Sequence, residues 1–154
     1  MSASEPPDGR LYPTRPLLAA SVAVIRDGRV LVAARARPPL AGQFSLPGGL
    51  VEPGETLAEA ALRELREEVA VEAEILGLVR PVEVIERDAA GTVRRHFVVM
   101  AHAARWIAGE GEVGPEAAAI RWVRPGELAG LSTTADLDLV VCGALRRAGA
   151  PPRD

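Results

Sequence analysis

Residues 48–71 read Gly-Gly-Leu-Val-Glu-Pro-Gly-Glu-Thr-Leu-Ala-Glu-Ala-Ala-Leu-Arg-Glu-Leu-Arg-Glu-Glu-Val-Ala-Val. The stretch divides at Glu55. Before it lies a Gly/Pro loop over 48–54, where Gly48 and Gly49 allow a sharp turn and close approach to a ligand because neither carries a Cβ. Pro53-Gly54 is a turn signal. After it, the pattern predicts a helix over 56–69, with Thr56 as N-cap and Glu59 at the capping-box distance.

The predicted helix sorts its residues by face. At about 100° per residue, Glu64 and Glu68 fall about 40° apart with Glu67 beside them. Leu57, Ala61, Leu65 and Val69 turn mostly elsewhere and suit burial. Like charges at i,i+4 repel by a few tenths of a kcal/mol, so a cation is expected over the three carboxylates. Oxygen ligands on one face, opposite a glycine loop, suit a hard cation such as Mg²⁺ or Mn²⁺. Taken alone, a Glu/Arg-rich helix is more often a solvated face; the surrounding pattern reverses that preference.

Written with U for an aliphatic residue, the pattern G-x5-E-x7-R-E-U-x-E-E-x-G-U resembles the signature box of the Nudix hydrolases. Gly49, Glu55, Arg63, Glu64, Leu65, Glu67, Glu68 and Val71 fall into register. Ala70 departs, standing where the pattern has glycine. A left-handed C-cap there costs an alanine roughly 1 kcal/mol, so the helix is expected to end differently, with no oxygen ligand lost.

The resemblance implies an α/β fold, an α/β/α sandwich with a mixed β-sheet between helices, over about 17–147. It also implies Mg²⁺-dependent hydrolysis of a pyrophosphate bond in a nucleoside diphosphate linked to a further group, with Mn²⁺ as a substitute. Glu64, Glu67 and Glu68 would hold the metal, with a backbone carbonyl of Gly48 or Gly49. Arg63 lies between Glu59 and Glu67 at i±4 spacing and can orient the carboxylates. Glu55 either supports the loop or reaches a metal through water. For the general base, family members use a helix glutamate or one on a later loop; the candidates are Glu64 and Glu116, with Glu112 behind the latter.

Arg35, Arg37, Arg87, Arg94 and Arg95 are available for phosphate or ribose, since arginine suits bidentate phosphate binding. The substrate-binding set is taken as Arg35, Arg37, Arg95 and the Gly48-Gly49 backbone. Phe44 reads as core, with base stacking the lesser reading. His96 and His102 read as structural, Trp106 and Trp122 as core or rim aromatics, and Cys142 as a buried thiol.

The chain of 154 residues suits a single domain, expected over 16–149, with a flexible arm over 1–15 and a short tail over 150–154. Apolar residues are 48% and charged residues 25%, ordinary for a soluble globular protein. The net charge of −3 and the lack of a long basic run argue against a nucleic-acid polymer as partner. All 18 basic residues besides the histidines are arginine, so lysine-based covalent catalysis is excluded. One cysteine excludes an intrachain disulfide. No apolar run approaches a membrane span and no signal pattern opens the chain, which makes a reduced, cytoplasmic setting the expectation.

Outward from the box, 16–25 reads as a buried strand, Asp27-Gly28 as a hairpin turn, and 30–34 as its return. A loop over 38–42 and a short strand over 43–46 follow. An extended run over 72–86, which Pro81 must interrupt or edge, pairs through a loop at 88–91 with a strand over 92–104. A glycine-rich acidic loop over 109–115, a short strand over 120–123 and a last helix over about 135–147, capped by Thr133 or Thr134, complete the order.

Within the resemblance, ADP-ribose or a sugar nucleotide is favoured over an oxidised nucleoside triphosphate, from loose similarity of the Arg-Pro-Pro-Leu-Ala-Gly and Trp122 regions to ADP-ribose pyrophosphatase-like members. A nucleotide-sensing domain is disfavoured because every box glutamate is kept, and an isomerase because Cys142 stands alone in a terminal helix. Family members often dimerise, so a homodimer stands among the implied partners, although no stretch specifies an interface.

Overall fold

A computed structural model describes residues 9–36, 42–115 and 117–149. The order is β1 (Leu17–Arg26), β2 (Arg29–Arg35), β3 (Phe44–Ser45), β4 (Gly48–Leu50), α1 (Leu57–Val69), β5 (Glu72–Arg87), β6 (Val93–Ala108), β7 (Ala117–Val123), a 3₁₀ turn (Pro125–Gly130) and α2 (Leu137–Arg147). No described helix is long and apolar enough to cross a membrane.

The centre is β1, whose nearly continuous apolar run is buried on both faces. It pairs parallel with β6 and antiparallel with β2 and β4. The sheet runs β3-β2-β1-β6-β5, with β4 on β1 and β7 on β2. It is therefore mixed, as expected. Asp27 and Gly28 both take positive φ, 50° and 75°, which suits the twist of a two-residue hairpin.

Alternation along each strand supplies two cores. One face carries Ala23, Ile25, Val30 and Val32 against Leu137, Val140, Val141, Ala144 and Leu145 of α2. The other carries Val22, Val24, Leu31 and Ala33 against Ala61, Leu65 and Val69 of α1. Helix, sheet and helix thus form an α/β/α sandwich, and α1 is pinned with its carboxylate face turned from the core.

Several expectations are corrected. Gly48-Gly49, expected to be loop, forms β4, with Ala20 opposite Gly49 and Ser21 opposite Gly48. A Cβ on Gly48 would lie 2.5 Å from the Ala20 carbonyl oxygen, so only glycine allows this approach. The terminal helix starts at Leu137, with Asp136 at its N-cap and no side-chain cap. Thr133 and Thr134 do not cap it; Thr133 bridges Phe44, and the Thr134 N–H donates to the Phe44 carbonyl at 3.1 Å. For Pro81, by contrast, the edge alternative of the expectation holds: β5 runs through it unbroken as an edge strand paired with β6 alone. Cys142 is half-buried rather than buried, since the face of α2 toward the sheet is taken by its aliphatic residues.

Thr56 and Glu59 form the expected capping box at the start of α1. The other end does not avoid the left-handed conformation. Ala70 adopts it at φ 55° and ψ 41°, its N–H donating to the Arg66 carbonyl. That backbone costs alanine roughly 1–2 kcal/mol, of which glycine returns about 0.4–1 kcal/mol through its freer unfolded chain. Ala70→Gly therefore stabilises the protein by about 0.5–1 kcal/mol, read as a Tm rise of about 1–4 °C. A lower Tm for the variant would overturn this account of the cap.

Candidate active site

Arg63 is the organising side chain. Its Nε and Nη2 donate to the two Glu55 carboxylate oxygens at 2.7 and 2.9 Å, the bidentate geometry that a planar guanidinium supplies. Nη1 donates to Glu64 Oε1 at 2.8 Å and Glu67 Oε2 at 3.1 Å, and Nη2 also to the Leu50 carbonyl at 3.0 Å. One side chain thus ties the loop, the end of β4 and the carboxylate face of α1 together. Glu59, expected as a partner, is instead spent on the Thr56 N–H at 3.3 Å. Of the two roles open to Glu55, the loop-supporting one is seen: besides Arg63 it accepts from the Glu52 N–H at 2.9 Å. Hydrogen bonds from Arg63 and then Glu52 hold the Glu55 carboxyl below the usual range, while Glu55 first and Glu64 next push the Arg63 guanidinium up.

Glu64 is fixed from the other side by glycine. A Cβ on Gly49 would lie 2.5 Å from the Glu64 carboxylate, so β4 backbone and carboxylate meet only because Gly49 has none. Glu64 is also screened from water, its side chain 15% exposed against 61% for Glu67.

These groups line a cavity of about 450 Å³. Gly48, Gly49, Glu52, Arg63, Glu64, Glu67 and Glu68 form one side of its lining, with Arg35 at the end of β2, Pro115 and Ala117 beside β7, and Arg10 completing it. Of the expected site residues, Arg35, Gly48, Gly49, Arg63, Glu64, Glu67 and Glu68 are thus brought together. Arg95 is not among the lining residues; it donates to Glu86 at 3.2 Å across the β5–β6 hairpin. Arg87 and Arg94 are likewise engaged there, with the Gly91 carbonyl and Glu86. Arg37 and Glu116 lie outside the described residues, as do 38–41 and 150–154. Arg10 was not anticipated, because it falls in the segment expected to be a loose arm and no local pattern singles it out.

The donors fit a hard divalent cation, since they are carboxylate oxygens and backbone on a short stretch of chain. Among the described residues no three such side chains are already drawn together as a metal centre. Like charges on one helix face converge only around a cation, and here Arg63 takes one oxygen each of Glu64 and Glu67.

The acidic loop after β6 is stapled beside α1. The Trp106 and Trp122 indole N–H groups donate to the Gly109 and Glu110 carbonyls at 2.6 and 2.9 Å, and the Glu112 N–H to the Val69 carbonyl at 2.8 Å. Arg26 lies 3.9 Å from the Trp106 ring centre and 5.6 Å from that of Trp122, and pairs bidentately with Glu110 at 2.8 and 3.0 Å. His102, buried, places Nδ1 3.2 Å from the Ser21 carbonyl, and Phe44 is core.

The Arg26 hydrogen bond holds the Glu110 carboxyl below its usual value. A lowered folded-state pKa means stability that is present above the ordinary glutamate range, about 4.3, and lost as pH falls through the lowered value. Both tryptophans of the chain flank this pair, so acidification below that range changes the tryptophan emission before global unfolding. Glu110→Gln abolishes the transition, and an unchanged acid titration in that variant would refute the assignment.

A family model described as the NUDIX domain matches residues 15–140. The ADP-ribose pyrophosphatase of Methanocaldococcus jannaschii is 33% identical over 108 residues, 70% of this chain and 61% of that protein. A putative 8-oxo-dGTP diphosphatase 2 of Mycobacterium tuberculosis is 55% identical over 51 residues, 32% of this chain and 36% of that one. The chain thus spans less than two thirds of the length of these curated relatives. Among solved structures, the MutT NUDIX hydrolase of Burkholderia pseudomallei superposes with a TM-score of 0.72 at 31% identity, covering 82% of this chain and 96% of that one.

Proposed function

The chain belongs to the NUDIX family, and from that premise we propose that it is a divalent-metal-dependent pyrophosphohydrolase acting on a nucleoside diphosphate linked to a second group. The observation that carries the reading is the Arg63 knot, which is braced by Glu55 and holds Glu64 and Glu67 on the wall of one cavity with Glu68 and the glycine strand.

The chemical problem is the negative charge of a pyrophosphate, which repels an incoming nucleophile. Bound at Glu64, Glu67 and Glu68 with a carbonyl of Gly48, Mg²⁺ would neutralise that charge and acidify a water molecule. Arg63 keeps two of these carboxylates in place before substrate arrives, so little reorganisation remains for the reactive step. Glu64, screened from water at 15% side-chain exposure against 61% for Glu67, is the candidate to take the proton from the attacking water. Arg35 contributes a fork suited to phosphate oxygens. The cavity of about 450 Å³ is within the range of nucleotide-sized sites.

Among substrates, ADP-ribose or a related sugar nucleotide is favoured, since similarity to the ADP-ribose pyrophosphatase extends over 108 residues whereas that to the 8-oxo-dGTP diphosphatase stops at 51. The test is phosphate-coupled hydrolysis with Mg²⁺ or Mn²⁺ across ADP-ribose, sugar nucleotides, NADH, dinucleoside polyphosphates, and normal and 8-oxo triphosphates. Hydrolysis of ADP-ribose or a sugar nucleotide above the others, abolished by EDTA, is expected. A triphosphate as best substrate would move the choice to that class. Silence across the panel, with nucleotide still raising Tm, would overturn the enzyme reading in favour of a nucleotide sensor.

A further inference from the structure

The last turn of α1 carries Glu67 and Glu68, and it is the part of the helix least suited to hold them. A helix leaves its final carbonyls without intrahelical partners. Its C-terminal end also carries partial negative charge, which disfavours carboxylates there. Glu64, one turn earlier, is fixed by Arg63 and by the close approach of β4. The end of the helix needs a hold of its own.

That hold comes from the loop over 109–115. The Glu112 N–H donates to the Val69 carbonyl at 2.8 Å, a partner that the helix itself cannot supply. Gly109 takes φ 93° and comes so close that a Cβ on it would stand 2.5 Å from the Ala70 carbonyl oxygen. A Cβ on Gly114 would stand 3.1 Å from the Glu68 carbonyl oxygen. The loop backbone therefore lies against three successive carbonyls, at the end of the carboxylate face.

Burial does not keep the loop there, since none of residues 109–115 is buried. Two indoles and a guanidinium hold it instead. Trp106 and Trp122 donate to the Gly109 and Glu110 carbonyls. Arg26, 3.9 Å from the Trp106 ring centre, pairs with both Glu110 oxygens. An exposed ion pair by itself contributes little, and Glu110 is 78% exposed. Here the guanidinium is already ordered against its ring, at 27% exposure, and its fork matches the carboxylate. It also offsets one of the two carboxylates, Glu110 and Glu112, that the loop brings to an already negative helix end.

We propose that Arg26 is a positioning residue for the metal: through Glu110 it holds loop 109–115 as the cap of α1, and the cap fixes the turn from which Glu67 and Glu68 reach the cavity. The proposal rests on the divalent-metal reading above and adds to the site a part from outside the box. Arg26 and Glu110 are not among the described lining residues of the cavity, so they act on the metal through the turn. Loss of a positive charge would by itself favour cation binding. Weaker binding on removal of Arg26 therefore reports position rather than charge.

A Mn²⁺ titration of the free protein by calorimetry tests this without substrate. Arg26→Ala binds Mn²⁺ about three- to tenfold more weakly, less than the roughly 10–100-fold carried by partners that touch a metal ligand directly. Hydrogen exchange in the absence of metal gives a second reading. Amides over 67–70 exchange about tenfold faster or more in Arg26→Ala, while those over 61–65 keep the wild-type rate. Glu110→Gln also weakens Mn²⁺ binding, and the double variant binds no more weakly than Arg26→Ala, since both substitutions cut one link. Unchanged Mn²⁺ affinity in Arg26→Ala overturns the proposal, as do additive losses in the double variant. Exchange that quickens equally along all of α1 overturns it too, because that marks a general loss of stability. A wild-type protein that binds no Mn²⁺ brings down the metal-dependent reading itself; a wild-type protein that binds it, with a variant of equal affinity, brings down this proposal alone.

Discussion

Glu67→Gln and Glu68→Gln each lower turnover by about a hundredfold or more at saturating Mg²⁺, with Tm and the far-UV spectrum unchanged. A hundredfold corresponds to about 2.7 kcal/mol of lost transition-state stabilisation, within what a carboxylate holding a divalent cation supplies. Glutamine keeps the shape and one carbonyl oxygen and removes only the charge. The fold has no stake in that charge at Glu67, whose side chain is 61% exposed and whose ion-pair partner Arg63 keeps Glu55 and Glu64. The measurement is kcat over a Mg²⁺ titration, so that weakened metal affinity is separated from lost chemistry. Near-normal turnover in both variants would defeat the assignment of these two glutamates to the metal.

Arg63→Lys loses about 10–100-fold in activity although the charge is retained, and Arg63→Ala loses at least as much and also lowers Tm by several degrees. Lysine offers one ammonium group on a flexible stem, whereas the knot needs a planar fork reaching Glu55 bidentately and Glu64, Glu67 and the Leu50 carbonyl at once. Partners that orient metal-binding groups typically carry effects of this size. The alanine variant adds a structural loss, because Glu55 and Glu64, only 17% and 15% exposed at their side chains, are left without their guanidinium. That cost is limited, since the site is open to water at one side. Activity and Tm curves for the three proteins test the argument, and full activity in Arg63→Lys would show that the fork geometry is unnecessary.

Much of the site was legible in the sequence because it is local. The capping box of Thr56 and Glu59, the shared face of Glu64, Glu67 and Glu68, and the burial of Leu65 and Val69 all follow from helical periodicity within one stretch. The succession of strands along the chain was legible where apolar patterning and Asp27-Gly28 spoke clearly. What failed to appear was non-local. Thr133 and Thr134 look like helix caps until β3 claims them, and Gly48-Gly49 looks like loop until β1 lies alongside to make it a strand. Arg63 spaced against Glu59 suggests a pair that the capping box has already taken.

By itself the sequence determined the chemistry available: a helix presenting three carboxylates behind an arginine, preceded by glycines, on a scaffold of two helices and a mixed sheet. Periodicity and spacing are enough for that, because each acts within one turn or one hairpin. Only the tertiary structure decided which cations face those carboxylates. Arg35 and Arg10 reach the cavity, while Arg95 turns to Glu86 on the hairpin. Such choices depend on where separate strands bring chain segments together, and the hydrogen bond from Tyr12 to Asp88, 76 residues away, has no local trace in the sequence.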